Sequence, residues 1–450
     1  MKPIITLCLL ALLAINFTIS ANDAAKSAAT QPTSVSTPGR ISASPDMAIG
    51  ADGSINLLWV DKGEAKPEDH SAHVAPARTP AAGGPPPTHT HKAYNNLFFA
   101  RSTDGGATFT KPLRINPKDG ELWGFATSKP RIAVSKSGFI HIFYQGNRND
   151  ASAARQAVDT RYTRSTDGGK TFEPVRTLNT TGVKGLDDGE LDEAHCFGTM
   201  GVAPNGDVHA YWIDTRLMKK KDDNGAVYGV VSRNEGKTFE KERLIFENEA
   251  CPCCQLNVAF SADNKVYLSL RSVYADGSRD AAIARSDDGG KTFAPRVRVS
   301  DKSWKIQGCP LKPTMMAMGK AGRMYAAWFA GEMQPAGAFF AASEDSGKTF
   351  AKPVALHPEA KTSDHAQMTV AADGTVHVAW DARVGEVRRI YLRSSNDHGK
   401  TFGTVSELEA PAGAADYPVL GTNKQGKLVI AWQQNGQIML RALPTLVAQK

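Results

Sequence analysis

After its first fifteen residues the sequence has no apolar run long enough to cross a bilayer. It also lacks a Lys/Arg stripe. The formal net charge of +7 is modest for 450 residues, and Lys219-Lys220-Lys221 runs straight into Asp222 and Asp223. Nucleic-acid binding and a membrane span are therefore not expected. There is no glycine-rich nucleotide motif, no haem-attachment motif and no serine nucleophile elbow. Six cysteines are too few for a disulfide-dense miniprotein. Apolar residues at 41% and charged residues at 22% are ordinary globular values, which excludes wholesale disorder and collagen. Glycine (40) and proline (25) are plentiful, and favour many short strands joined by turns.

Lys2, the apolar run Ile4 to Ile15 and the small residues at Ser20 and Ala21 have the layout of a secretory signal peptide. The expected division is a signal peptide at 1–21, with Cys8 inside it, a flexible Ala/Ser/Thr-rich lead-in at 22–36 and one domain from 37 to 450. The expected location is periplasmic or secreted.

The pattern Ser-x-Asp-x-Gly-x-Thr-Phe organises the domain. It begins at Ser102, Ser165, Ser232, Ser286, Ser343 and Ser395, with spacings of 63, 67, 54, 57 and 52, and Asn234 replaces Asp in the third copy. Asp and Ser side chains that bond nearby backbone N–H groups hold tight turns. The terminal phenylalanines are expected to bury their rings between strands. A feature present in every repeat is scaffold rather than a unique site. Around each copy four strands recur. In the second copy they are Pro130–Val134, Phe139–Tyr144, Thr160–Arg164 and Pro174–Arg176, with the alternation of a half-buried antiparallel sheet.

The octapeptide is the Asp-box (BNR repeat), and the chain resembles the sialidase-type β-propeller superfamily over nearly all of its length after residue 37. The fold implied is all-β, with four-stranded antiparallel blades around a channel. First-to-second strand pairs begin near Pro45, Pro130, Cys196, Cys254, Pro310, His365 and Tyr417, so seven blades are expected, with the six-bladed sialidase fold as the alternative. The last unit stops after its third strand. Pro38-Gly39-Arg40-Ile41-Ser42, which is similar to Lys111–Ile115, is expected to supply the fourth and close the ring. The boxes then lie on one rim and the starts of the first strands on the other, which carries the active site in such propellers.

The resemblance also implies a glycosidase, with an arginine triad for the substrate carboxylate, a Tyr nucleophile and an acid/base carboxylate. Tyr417 and Arg131 are the candidate catalytic residues. The other first-strand starts carry His195-Cys196, Cys253-Cys254, Gly308-Cys309 and Asp364-His365, none of them an arginine. Asp214-Thr215-Arg216 and Asp381-Ala382-Arg383 end second strands at equivalent positions and read as structural ion pairs or turn caps. His141, His209 and His377 recur in second strands and read as scaffold.

The unusual constellation is sulfur and imidazole on the rim. Cys196, Cys251, Cys253, Cys254 and Cys309 lie at or just before first-strand starts, level with His195 and His365. His70, His73, His89 and His91 lie in the loop 62–93. Two readings are open. Exported cysteines form disulfides, and five leave one odd thiol. The same residues are also ligands for copper or zinc, with Met315, Met316 or Met318 facing the channel. The acidic loop Asp187, Asp188, Glu190, Asp192 and Glu193 offers oxygen ligands suited to calcium. The leading expectation is an exported binding or assembly protein that takes a thiophilic metal ion, copper before zinc, or exchanges thiols with an exported protein partner. The alternatives are a sialidase-like glycoside hydrolase acting on a glycan, and a protein-interaction propeller with structural disulfides only.

Overall fold

A computed structural model describes residues 31–62, 95–124, 126–148, 156–182, 191–219, 223–306, 308, 310–360, 362–408, 410–423 and 426–443, with only the backbone of 156, 191 and 192. The signal segment with Cys8, the first thirty residues, the histidines of 62–93, most of the acidic loop and Cys309 lie outside these. The described residues form strands and turns, with no helix among them. None therefore contains a helix long and apolar enough to cross a membrane.

The strands group into antiparallel meanders. The first is Ile41–Ile49, Ile55–Lys62, Asn95–Ser102 and Leu113–Arg114. The next is Arg131–Val134, Ile140–Asn147, Gln156–Ser165 and Arg176–Thr177, with Leu122–Trp123 also on the second strand. Leu191–Val202, Val208–Asp214, Gly225–Ser232 and Arg243–Ala250 follow. Then come Asn257–Phe260, Val266–Val273, Arg279–Ser286 and Val297–Arg298. After these are Thr314–Met318, Met324–Ala330, Gly337–Ser343 and Val354–Ala355. Thr362–Val370, Val376–Val384, Val387–Ser395 and Ser406–Glu407 make the next. Ala415–Thr422, Leu428–Gln434 and Gln437–Ala442 are completed by Thr33–Ser34.

That last pairing, Thr33 with Leu440 and Ser34 with Met439, differs from the sequence expectation. The completing strand lies within the segment read as a flexible lead-in, not at 38–42. Ile41–Ile49 instead opens the first meander. Ser36 Oγ accepts from Ile438 N at 2.9 Å, which ties the segment down further.

A second difference concerns burial. The second strands are not half-buried: Val208–Asp214 is buried at every position. Neighbouring meanders stack on both faces, so these strands need apolar residues in succession. The first and last meanders share one cluster that contains Trp59, Leu57, Val429 and Leu440.

All six boxes adopt one geometry. In the fifth, Ser343 Oγ donates to Asp345 Oδ1 at 2.8 Å and accepts from Gly347 N at 2.9 Å, while Asp345 accepts from Thr349 N at 2.9 Å and from Thr349 Oγ1 at 2.6 Å. Asn234 keeps the backbone bond from Thr238 N at 2.9 Å and donates to Thr238 Oγ1 at 2.8 Å. The box phenylalanines are half-buried, and four of them meet a ring of the preceding meander edge-on. The pairs are Phe172 on Phe99, Phe239 on Tyr162, Phe293 on Tyr211 and Phe402 on Phe340. In these four the box glycine lies under the same ring. At Gly236, with φ +77°, a Cβ would stand 1.7 Å from Tyr162 Oη, so no other residue fits. His141 Nδ1 bonds Tyr162 Oη at 2.7 Å, and burial holds this imidazole neutral, with its pKa down at about 3, which accords with its reading as scaffold.

Slight desolvation raises the Asp345 and Asp397 carboxyls, but the bonds from Thr349 and Thr401 outweigh it and hold both at about 2. Being below the ordinary value, they add stability above it that is lost as pH falls toward about 2. Asp345→Asn is expected to leave the urea midpoint at neutral pH nearly unchanged, as Asn234 implies, and to flatten the acid limb below about pH 4. Asp345→Ala is expected to cost about 1 kcal/mol at neutral pH. Urea unfolding across a pH series checks both.

Candidate functional site

Antiparallel alternation puts the start of each first strand at the end of its meander remote from the box. Four of these strands carry the same one-residue bulge, between Ala43 and Asp46, Cys196 and Thr199, Asp364 and Gln367, and Asp416 and Val419. Within each bulge one non-glycine residue is left-handed: Ser44 (φ +55°), Phe197 (+49°), His365 (+51°) and Tyr417 (+52°). Each such residue costs about 1–2 kcal/mol, and a bulge re-aims the side chains beside it.

Two of these residues, His365 and Tyr417, line one cleft together with Lys129, Arg131, Gln255 and Asp364. The structure thus brings the candidates Arg131, His365 and Tyr417 together from distant parts of the chain. Met315 also lines the cleft, whereas Met316 is core. The rings of His365 and Tyr417 lie against each other, tilted by 31° with centroids 3.9 Å apart.

Beneath them lies the fully buried Asp381. It accepts from His365 Nδ1 at 2.7 Å, from Tyr417 N at 2.9 Å and from Arg388. The expected partner Arg383 points to solvent instead. The strand pairing sets Asp381 opposite Ile390 and Arg383 opposite Arg388, and Arg383 falls on the exposed end of the hairpin. The equivalent expectation for Asp214 holds: Arg216 Nη2 reaches it at 2.7 Å.

The electrostatics of the cleft are mixed. Burial, then Asp381, Asp416 and Asp364, push the Tyr417 hydroxyl upward, so it is held protonated rather than activated as a nucleophile. Asp364 would be raised by burial, but His365 and Lys312 lower it overall. Lys129 is lowered to about 8 by desolvation and by Arg131, against the pull of Asp46. Asp46 lies 3.5 Å from Lys129 Nζ and 3.4 Å from Arg131 Nε. Among the described residues Arg131 is the only arginine lining this cleft, so no triad of arginines lines it.

The thiols form a separate group. Sγ atoms of Cys251, Cys253 and Cys254 lie within 4.8 Å of one another. Cys251 is 3.5 Å from Cys253 and 3.9 Å from Cys254, and all three are buried. The turn that carries them is stitched to both neighbouring meanders: Cys251 N donates to Arg271 O at 2.8 Å and Leu256 N to Phe197 O at 2.9 Å. Arg279 Nη1 donates to Cys251 Sγ at 3.2 Å, and Lys312 N to Cys254 Sγ at 3.4 Å. Burial pushes the Cys254 thiol up to about 12. Gln255, next in the chain, donates to Lys129 O at 2.7 Å and to Gly198 O at 2.9 Å, so this turn also forms one wall of the cleft.

Three expected ligands are not in this sulfur group. Cys196 shares its apolar cluster but stands outside the three-sulfur contact. His365 belongs to the cleft, and His195 to a pair of carboxylates, Asp159 and Glu193. The two histidines differ because His195 sits before its bulge and His365 within it. Sequence reading missed Asp381 as the hub of the cleft, and Lys129 and Gln255 as its walls. The available signals were the closeness of Lys129 and Gln255 to first-strand starts and the place of Asp381 at the end of a second strand.

No family model matches the chain, and no curated protein is similar to it in sequence. Among solved structures, a protein of unknown function from Dyadobacter fermentans is similar with a TM-score of 0.51 at 17% identity, over 92% of this chain and 97% of that one. A Hadza microbial sialidase follows with 0.49 and 15%, over 79% and 74%. A leech intramolecular trans-sialidase gives 0.45 and 12%, over 92% and 69%. Likeness at such identity concerns the fold alone, and the two sialidases fall below a TM-score of 0.5.

Asp381→Asn is expected to destabilise the protein by about 3 kcal/mol, because it leaves Arg388 without its buried counter-charge. It also removes a negative neighbour from Tyr417, whose pKa is therefore expected to fall. Urea unfolding and ultraviolet titration of tyrosine check the two parts.

Proposed function

We propose that the chain is an exported β-propeller of seven four-stranded blades that holds a thiophilic metal ion through cysteine thiolates on the rim opposite the boxes. The observation that carries the reading is the three-sulfur group of Cys251, Cys253 and Cys254. For metal–sulfur bonds of about 2.3 Å, sulfurs around a tetrahedral or trigonal ion stand about 3.8–4.0 Å apart. The separations of 3.5 and 3.9 Å are close to these. The guanidinium of Arg279 supplies positive charge where thiolates would carry negative charge.

Three soft ligands suit Cu(I), and a fourth would suit tetrahedral Zn(II). Cys309 is the proposed fourth, because Leu311 and Lys312 already touch the cluster. Burial of the three thiols favours retention of an ion over exchange with a partner's thiols. The seven-bladed, closed form draws support from the meanders and from Thr33–Ser34 in the last of them. The export reading rests on the sequence of residues 1–21.

Metal analysis and free-thiol counting on protein taken from its native compartment, followed by Cu(I) and Zn(II) titration, test the reading. One Cu(I) ion per chain is expected, with affinity falling about 100-fold or more in Cys251→Ser and Cys254→Ser. Absence of bound ion after titration, with four cysteines in disulfides, overturns it.

A glycoside hydrolase is the second reading, favoured by the shared cleft of Arg131, His365 and Tyr417. The lone arginine and the protonated Tyr417 weigh against it. Turnover of a fluorogenic sialoside, abolished by Tyr417→Phe, would establish it over the first.

A further inference from the structure

Strand Leu191–Val202 does more than open its own meander. Its first residues run parallel to Gln156–Ser165 of the preceding one, with Glu193 opposite Ala157 and Ala194 opposite Val158. This pairing brings Asp159, Glu193 and His195 together, with one donor atom of each within 4.8 Å of the other two. Their exposures are 0%, 5% and 1%. Among the described residues, Asp159 Oδ2, Glu193 Oε1 and His195 Nε2 have no hydrogen-bond partner.

Three buried polar atoms without a hydrogen bond in one place is costly unless something binds there. The other atoms of these side chains are already used. Asn179 Nδ2 donates to Asp159 Oδ1 at 3.1 Å. His195 Nδ1 bonds Asp214 Oδ2 at 2.7 Å, and Asp214 is itself clamped by Arg216 Nε at 2.9 Å. A carboxylate that holds Nδ1–H leaves a lone pair on Nε2, which is the arrangement of a metal-bound imidazole.

We propose that Asp159 Oδ2, Glu193 Oε1 and His195 Nε2 form a binding site for a divalent first-row transition ion such as Zn(II), Mn(II) or Fe(II). Two oxygens and one imidazole suit these ions. Calcium requires six or more oxygens, and Cu(I) prefers sulfur, so neither matches this donor set. The site shares no ligand with the three-sulfur group and stands or falls without it.

Two guanidiniums neutralise the carboxylates in the absence of an ion. Arg148 pairs with Glu193 Oε2 and lies with Nε 3.4 Å from Asp159 Oδ2, and Arg161 lies 3.3 Å from the same oxygen. Arg161 is anchored by Thr177. Arg148 is 30% exposed, so it is the cation that swings into solvent as the metal enters. This makes Arg148 a competitor of the ion rather than its ligand.

Titration of the chelator-treated full chain with Mn(II) and Zn(II) by calorimetry, and with Co(II) by absorption, tests the proposal. One Mn(II) per chain is expected, and with Co(II) a visible spectrum that persists in Cys251→Ser, where the near-ultraviolet thiolate-to-cobalt band of the sulfur group is absent. His195→Gln and Glu193→Gln are expected to weaken binding about tenfold or more, and Arg148→Gln to tighten it. No binding by the wild-type chain overturns the proposal, as does binding lost in Cys251→Ser but retained in His195→Gln. If His195→Gln fails to fold by circular dichroism, Arg148→Gln decides. Unchanged or weaker binding there marks the cluster as a purely structural ion network and overturns the site.

Discussion

The contact on which the rest of the molecule depends is the seating of one meander's box on an aromatic ring of the meander before it. Each edge-on pair contributes only about 0.5–1.5 kcal/mol beyond its buried area. The glycine beneath the ring and the bonds of Ser, Asp and Thr leave the box a single shape, so the repeated pair also fixes how consecutive sheets are turned against each other. Where the ring belongs to a tyrosine, its hydroxyl is buried as well. A neutral histidine satisfies it, His141 on the adjacent strand for Tyr162 and His209 on the same strand for Tyr211. Recurrent histidines are thus part of the packing rather than of the chemistry.

The other end of the meanders carries the bulges. Left-handed non-glycine residues occur at both ends, with Glu235, Ser346 and His398 inside boxes, but Ser44, Phe197, His365 and Tyr417 recur at one position of the bulge. Two of them, His365 and Tyr417, fall where polar groups converge. Gln255 joins the features of this end, because its amide bonds the backbone of two other meanders while its neighbours in sequence carry the thiols. Any ion held by Cys251, Cys253 and Cys254 would stiffen the same wall that shapes the cleft.

Much of this was legible in the sequence. The boxes are local, so their spacing alone announced strands, turns and scaffold, and Cys251, Cys253 and Cys254 stood out as neighbouring candidate ligands. Arg131, His365 and Tyr417 were recognisable as neighbours because each marks the start of a first strand. What could not be read depends on register between units. Asp159 lies in a third strand, and only the parallel pairing with Leu191–Val202 delivers it to Glu193 and His195. The repeat pattern contains no such pairing. The partner of Asp381 escaped for a similar reason: Arg383 is nearer in sequence, but the hairpin sends it outward and turns Arg388 in. Val35 and Ser36, in a segment whose composition suggests a loose tail, are buried against the last meander because an open strand edge there needs a partner.

The pairing of Thr33–Ser34 with Gln437–Ala442 sets an order on assembly. The residues that complete the last sheet are made long before their partners, as the bonded pair Ser36 and Ile438 shows by its separation of 402 residues. The intervening meanders can each form from neighbouring sequence as the chain emerges. The last sheet cannot gain its fourth strand until Gln437–Ala442 has been made. Thr33–Ser34 therefore waits unpaired while the intervening meanders are made, and its docking reports that the last of them has formed.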